Sequence, residues 1–154
     1  MTVQDAINQF RIILHDVSEE YDDYHAVMRL NSAVQLISAL LVQINSPLVI
    51  QSAVLHNGDT LPSNFQRFCG IHPIKRTGQT VELLDDDAES MVVRYYVAFD
   101  ALTADGDMPF AHDALNDFVI RTAAKYALNR NEFDISQDQN LLTELQNAAA
   151  AAMG

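Results

Sequence analysis

A chain of 154 residues is long enough for a single domain that buries roughly two-thirds of the surface its unfolded form exposes, so no disulfide or metal staple is required. With 49% hydrophobic and 19% charged residues it is not an intrinsically disordered sequence. Nine Lys and Arg against twenty-one Asp and Glu leave a formal charge of −12, which argues against a surface that grips phosphate backbones by counterion release.

The N-terminus, "MTVQDAINQF", lacks a basic region followed by an apolar run. No segment has the ~18 uninterrupted apolar residues expected of a bilayer span, so the expectation is a soluble, unprocessed chain with no membrane partner. Thr2 with Asp5 three residues on resembles a capping box, and Val3, Ile7, Phe10, Leu14 and Val17 form one stripe. A helix over about 2–17 follows. After the acidic break "SEEYDD", Asp22 or Asp23 suits the start of a second helix over about 23–45, striped by Val27, Leu30, Val34, Ile37, Leu41 and Ile44. It ends where Ser46 precedes Pro47. Asn31 lies beside that stripe and needs hydrogen-bond partners if buried.

From about 47 to 102 the pattern turns β-rich. "PLVIQSAVL" reads as a strand, and Asn57-Gly58 suits a type I′ turn or a loop tip. "LPSNFQRFCGIHPI" reads as irregular and "KRTGQ" as an exposed turn. "TVELL" and "MVVRYYVAF" are a candidate hairpin around the acidic tip "DDDAES". In the second of these, Val93, Tyr95, Val97 and Phe99 share one face, and Val92, Arg94, Tyr96 and Ala98 the other.

A third helix is expected over about 110–130, with Pro109 near its start, Leu115, Phe118, Val119, Thr122 and Tyr126 down one side, and Ala123, Ala124 and Ala127 keeping its flanks thin. Small flanks let neighbouring helices approach, which makes this helix central. The last helix, about 136–152, starts near Ser136 with Gln139 as capping partner, carries Leu141, Leu142 and Leu145, and runs into "NAAAAAMG". The expected fold class is α+β, mainly α. It is a single domain over 1–154, a small bundle of about four helices with a β-rich insertion between helices 2 and 3 and a C-terminal helical arm.

Catalytic chemistry finds no positive support. His15, His25, His56, His72 and His112 show no i, i+4 metal pairing, and "DDDAE" and "DGD" lack the ligand spacing of a calcium loop. Cys69, the only cysteine, cannot form an intrachain disulfide, fits a reducing compartment and sits in the apolar context of an inert thiol. No Gly-rich phosphate loop or GxSxG elbow is present. The expectation is no enzyme, no cofactor and no metal. The exposed pair Lys75-Arg76, the acidic tip and the Ala-rich last helix suit a docking subunit instead.

The layout resembles the head–tail adaptor (connector) proteins of tailed bacteriophages over nearly the whole chain. The likeness runs through the acidic break in "LHDVSEEYDD", the stretch "LNSAVQLI" at 30–37 and the turn "LPSNF" at 61–65. It is closest in "DGDMPFAHDALNDFVIRTAAKYALNRNEFDISQDQNLLTELQNAAAAA". Where such adaptors carry an aromatic residue, often tryptophan, before the second helix, this chain has Tyr21 or Tyr24. The resemblance implies a structural neck protein of the virion, assembled in the host cytoplasm. It implies a homo-oligomeric ring, commonly of twelve copies, bound to the portal protein on one side and to the next neck or tail protein on the other. DNA would pass through the ring without tight binding, past acidic surfaces for which "SEEYDD" and "DDDAE" are candidate sources.

On this reading Leu141, Leu142, Leu145, Ala149 and Ala152 form the portal-docking arm, with Leu141, Leu145, Ala149 and Ala152 facing a groove on the portal. Asp85, Asp86, Asp87, Glu89, Lys75 and Arg76 contact a neighbouring subunit or the next neck protein. Two other classes stay open: a cell-wall-degrading tail accessory enzyme using acids such as Glu82 or Glu89, and a small acidic regulatory binding protein.

Overall fold

The computed structural model describes residues 1–15, 22–128 and 139–153. Among these, four helices and two small antiparallel sheets make an α+β, mainly α protein with its β elements inserted between the second and third helices. The chain divides into two compact units, a discontinuous helical unit of 1–41 with 100–154 and a β-unit of 42–99.

In the helical unit, α1 (Val3–Leu14) begins at the expected capping box. Asp5 donates its backbone N–H to Thr2 Oγ1 at 3.1 Å, and Thr2 donates its own to the Asp5 carboxylate at 3.2 Å. Val3, Ile7 and Phe10 are fully buried, whereas Ile12 on the opposite side is 72% exposed. The chain leaves α1 through His15 in left-handed geometry, with φ 53°. Helix α2 (Asp23–Gln43) buries Leu30, Val34, Ile37 and Leu41 as the stripe requires. By length and composition it could cross a membrane, but 44% of its most apolar window is buried within the protein. Asn31 finds its partner by accepting the Leu102 backbone N–H at 3.2 Å.

Helix α3 (Asp113–Leu128) starts three residues later than expected, because its first hydrogen bonds return to His112. A buried amide enforces this. Asn116, at 0% exposure, accepts from the Phe110 N–H at 3.2 Å and donates to the Phe110 carbonyl at 2.8 Å. Both backbone groups of Phe110 are thereby occupied outside the helix. Leu115, Phe118, Val119, Thr122, Ala123, Ala124 and Ala127 are buried, and α3 packs against both α1 and the last helix, α4 (Gln139–Met153). Tyr126, expected on the buried side, is 45% exposed.

The reading of α4 as a docking arm is corrected. Leu141, Leu145, Ala149 and Ala152, the residues expected to face a portal groove, are 2%, 0%, 4% and 5% exposed, and α4 lies on α3. An amphipathic ridge needs one apolar surface to cover it, and the chain supplies that surface itself. Leu142 is half-buried at its side. The expected helix ends at 16–17, 129–130 and 136–138, with Val17, Tyr21 and the cap at Ser136, lie outside the described residues.

In the β-unit a short 3₁₀ turn (Pro47–Val49) leads into β1 (Ile50–His56). The other strands are β2 (Phe65–Phe68), β3 (Ile74–Thr77), β4 (Thr80–Leu83) and β5 (Ser90–Val97). The expected hairpin around "DDDAES" does not form. Strand β4 pairs with β3, while β5 lies between β1 and β2. The reason is local: Gly78, at φ 61°, lets the chain reverse between Thr77 and Thr80, so β4 finds a nearer partner than β5. "LPSNFQRF", expected as irregular, contains β2. At "HNGD" only Gly58 has positive φ, at 85°, so the type I′ geometry that needs two such residues is absent there. The alternation in β5 holds on its inward face, where Val93, Tyr95 and Val97 are buried. Val93 joins Leu55, Leu61 and Val81 in the core of the unit.

Replacing Asn116 by alanine strands the Phe110 N–H and carbonyl in a buried site and is expected to cost about 2 kcal/mol, read as a lowered urea midpoint with unchanged m-value. Leu145→Ala removes a fully buried leucine from the α3–α4 contact and is expected to cost about 2–5 kcal/mol in the isolated chain. A loss below about 0.5 kcal/mol would show α4 to be a free arm after all.

Candidate functional site

The residues expected to meet a neighbour divide between two places in the β-unit. Asp85, Asp86, Asp87 and Glu89 are exposed on the connection from β4 to β5. The turn is ordered from within, because Asp85 accepts the Asp87 N–H on its carboxylate at 3.0 Å and the Ala88 N–H on its carbonyl at 3.2 Å. Leu84, immediately before, is 60% exposed. Lys75 and Arg76 lie on β3, exposed, with Lys75 directly opposite Glu82 on β4. Arg76 donates from Nε to the Gly78 carbonyl at 2.7 Å and lays its guanidinium over the Phe65 ring at 5.1 Å. It is a tethered cation rather than a free one.

Three of the five histidines, His25, His56 and His72, serve their own turns. His56 and Asp59 close a reversal in which the His56 N–H reaches the Asp59 carboxylate at 2.7 Å and its ring Nδ1 lies 3.1 Å away. These bonds, backbone first and ring second, hold the Asp59 carboxyl below its ordinary 3.8. His25 and Asp22 repeat the arrangement at the start of α2, with the same effect on Asp22. His72 Nε2 lies 3.2 Å from the Cys69 carbonyl, and the Cys69 N–H donates to the Arg94 carbonyl at 2.8 Å, tying the loop after β2 to β5. Cys69 is half-buried beside Tyr96, whose phenol it pushes above the ordinary 10.0. Tyr96 also donates to Asn45 and carries the Arg67 guanidinium 5.0 Å over its ring, which explains why this residue is buried on the outer face of β5. Among the described residues no three His, Cys, Asp or Glu side chains gather in a way that could hold a metal ion.

Two concavities stand out among the described residues of the helical unit. A wide depression of about 390 Å³ opens beside Met1, Asp5 and Asp113, whose charges are already engaged: Asp5 in the cap of α1, and Asp113 with the Met1 amino group at 3.6 Å. The second is more informative. A cleft of about 330 Å³ lies between α2 and α3, with Ala33, Leu36 and Ala123 as apolar walls and Arg29, Thr122 and Tyr126 as its polar members. Arg29 is half-buried, with its guanidinium 5.5 Å over the Tyr126 ring. Thr122 is 2% exposed, and its Oγ1 has no hydrogen-bond partner among the described residues. A buried hydroxyl of this kind is free to donate to an acceptor that enters the cleft.

Sequence reasoning placed Thr122 and Tyr126 on the α3 stripe but missed the cleft. Its one legible signal was Arg29, the only basic residue in the 21 of α2.

The charge is unevenly shared. Fifteen acidic residues face five basic ones in the helical unit, against six and four in the β-unit. Compared with known proteins, the chain matches no family model and no curated sequence.

The depressed Asp59 carboxyl gives a signed expectation. Its contribution to stability is complete above the unfolded value of 3.8 and is lost as pH falls through the lower folded value. Asp59→Asn is therefore expected to lower stability at neutral pH and to flatten the fall in stability below about pH 4. Parallel acid-unfolding curves for the two proteins would refute this role.

Proposed function

We propose that this chain is a structural neck protein of a tailed bacteriophage, a head–tail adaptor that forms a ring beneath the portal and carries the next neck or tail component. What carries this reading is the layout. Two helices, a β-rich insertion and two further helices follow one another in the order that the resemblance implies, with the acidic turn and Pro109 leading into α3 as the central helix.

The chemistry on the surface supports a passive channel component. His25, His56, His72 and Cys69 are engaged in local structure, and the acidic excess lies mainly in the helical unit. Duplex DNA passing such a surface meets few cations that could replace its counterions, so it slides rather than sticks. Exposed apolar residues of the β-unit, among them Ile71 at 100% and the facing pair Val54 and Val92 at 56% and 65%, provide area for contacts with other subunits. The ring, of about twelve copies by the resemblance, uses heterologous contacts, in which one face of each copy meets a different face of the next.

Electron microscopy of the purified chain mixed with the portal of the same phage tests the reading. The expected result is a ring of density below the portal, together with negligible binding of duplex DNA at about 0.15 M salt. Absence of any portal complex, or DNA binding that falls steeply as salt is raised, would overturn it.

A further inference from the structure

We infer that the cleft between α2 and α3 receives the Leu84–Asp87 turn from a second copy of this chain. The inference rests on the ring reading only in needing that second copy.

The cleft asks for a particular kind of group. Its apolar walls, Ala33, Leu36 and Ala123, suit an aliphatic side chain. At its polar side, Arg29 is stacked on Tyr126, and among the described residues it makes no ion pair or hydrogen bond. The Thr122 hydroxyl, buried and unpartnered, can donate to a carboxylate or a carbonyl. Charge around the cleft points the same way. Arg29 is the only charged residue among those that line the cleft, so the charge the cleft itself offers is positive.

The β-unit presents the complement. Leu84 is 60% exposed and is followed at once by the exposed Asp85, Asp86 and Asp87. An aliphatic side chain and carboxylates therefore stand together on one short turn. That turn is already ordered by the Asp85 hydrogen bonds, so little conformational freedom is lost when it docks. Insertion of Leu84 between α2 and α3 would cover the apolar walls and bring an aspartate to Arg29 and Thr122. Because the turn and the cleft are different surfaces, each copy can give one and receive one, which builds a closed ring or an open filament.

The full-length chain, followed by sedimentation velocity, provides the test. Arg29→Glu and Asp85→Arg should each weaken self-association at least about tenfold, as expected when one side of a partly buried charge pair is reversed. An equimolar mixture of the two variants should regain association in alternating order, because the introduced carboxylate meets the introduced guanidinium at one contact and the unchanged turn and cleft meet at the next. Leu84→Ser, on an exposed turn that leaves the fold intact by circular dichroism, should weaken association as well.

In a Cys69→Ser background, Leu84→Cys mixed with Tyr126→Cys should give an intermolecular disulfide on oxidation. If the wild-type chain associates and these variants associate equally well, the contact is wrong while the ring reading stands. Dependence on Arg29 but not on residues 84 to 87 would mean that some other carboxylate occupies the cleft, and would overturn the inference too. If the wild-type chain neither associates nor crosslinks, the contact is refuted, and the neck reading is judged separately by assembly on the portal.

Discussion

Much of the helical unit depends on how little side chain α3 carries. Ala123, Ala124 and Ala127 let it lie close to its neighbours, and α1 and α4 both pack against it, although about a hundred residues separate α1 from α3 in the chain. The buried amide of Asn116 fixes where this helix begins, by taking both backbone groups of Phe110 out of helical competition. The same slenderness has a second effect on the side facing α2. There Thr122 and Ala123 are too small to fill the space, and a cleft is left with a hydroxyl and an arginine at its border.

The β-unit solves a different problem. Its central strand, β5, binds β1 along its full length in continuous register, and β2 on its other edge across a bulge between Phe65 and Arg67. The inward residues of these strands meet Leu61 and Val81 in a small core. Outside it, cations are laid over rings, with Arg67 on Tyr96 and Arg76 on Phe65. These contacts keep charge at the surface while covering aromatic area that so small a core cannot enclose. They also make Arg67 and Arg76 parts of the fold rather than mobile phosphate binders.

What could be read in advance was whatever depends on near neighbours in sequence. The capping box at Thr2 and Asp5, the buried stripe of α2 and the inward face of β5 each follow from spacings of two to four residues. The need of Asn31 for a partner was legible, though not the identity of that partner, Leu102. Strand pairing was not legible, since whether β4 joins β5 or β3 turns on competition between two loops that sequence alone leaves level. The ridge of Leu141, Leu145, Ala149 and Ala152 was correctly recognised as buried in something, but an amphipathic pattern is the same whether the covering surface belongs to a partner or to the chain itself. The cleft was hidden for a related reason: it is defined by the distance between two helices, and no periodicity encodes that.

The burial of α4 on α3 also sets an order of events during synthesis. The β-unit is contiguous, so residues 42–99 can close their core as soon as they have emerged from the ribosome. The helical unit is split, and it cannot be completed until residues 139–153 follow. For that interval α3 has been made but lacks the covering that α4 gives it, which is the period in which a nascent chain is most open to chaperones and to premature association. Because the last helix seals the core of its own unit, the fold is complete only when that helix has arrived, and the timing of its completion is written into the order of the chain.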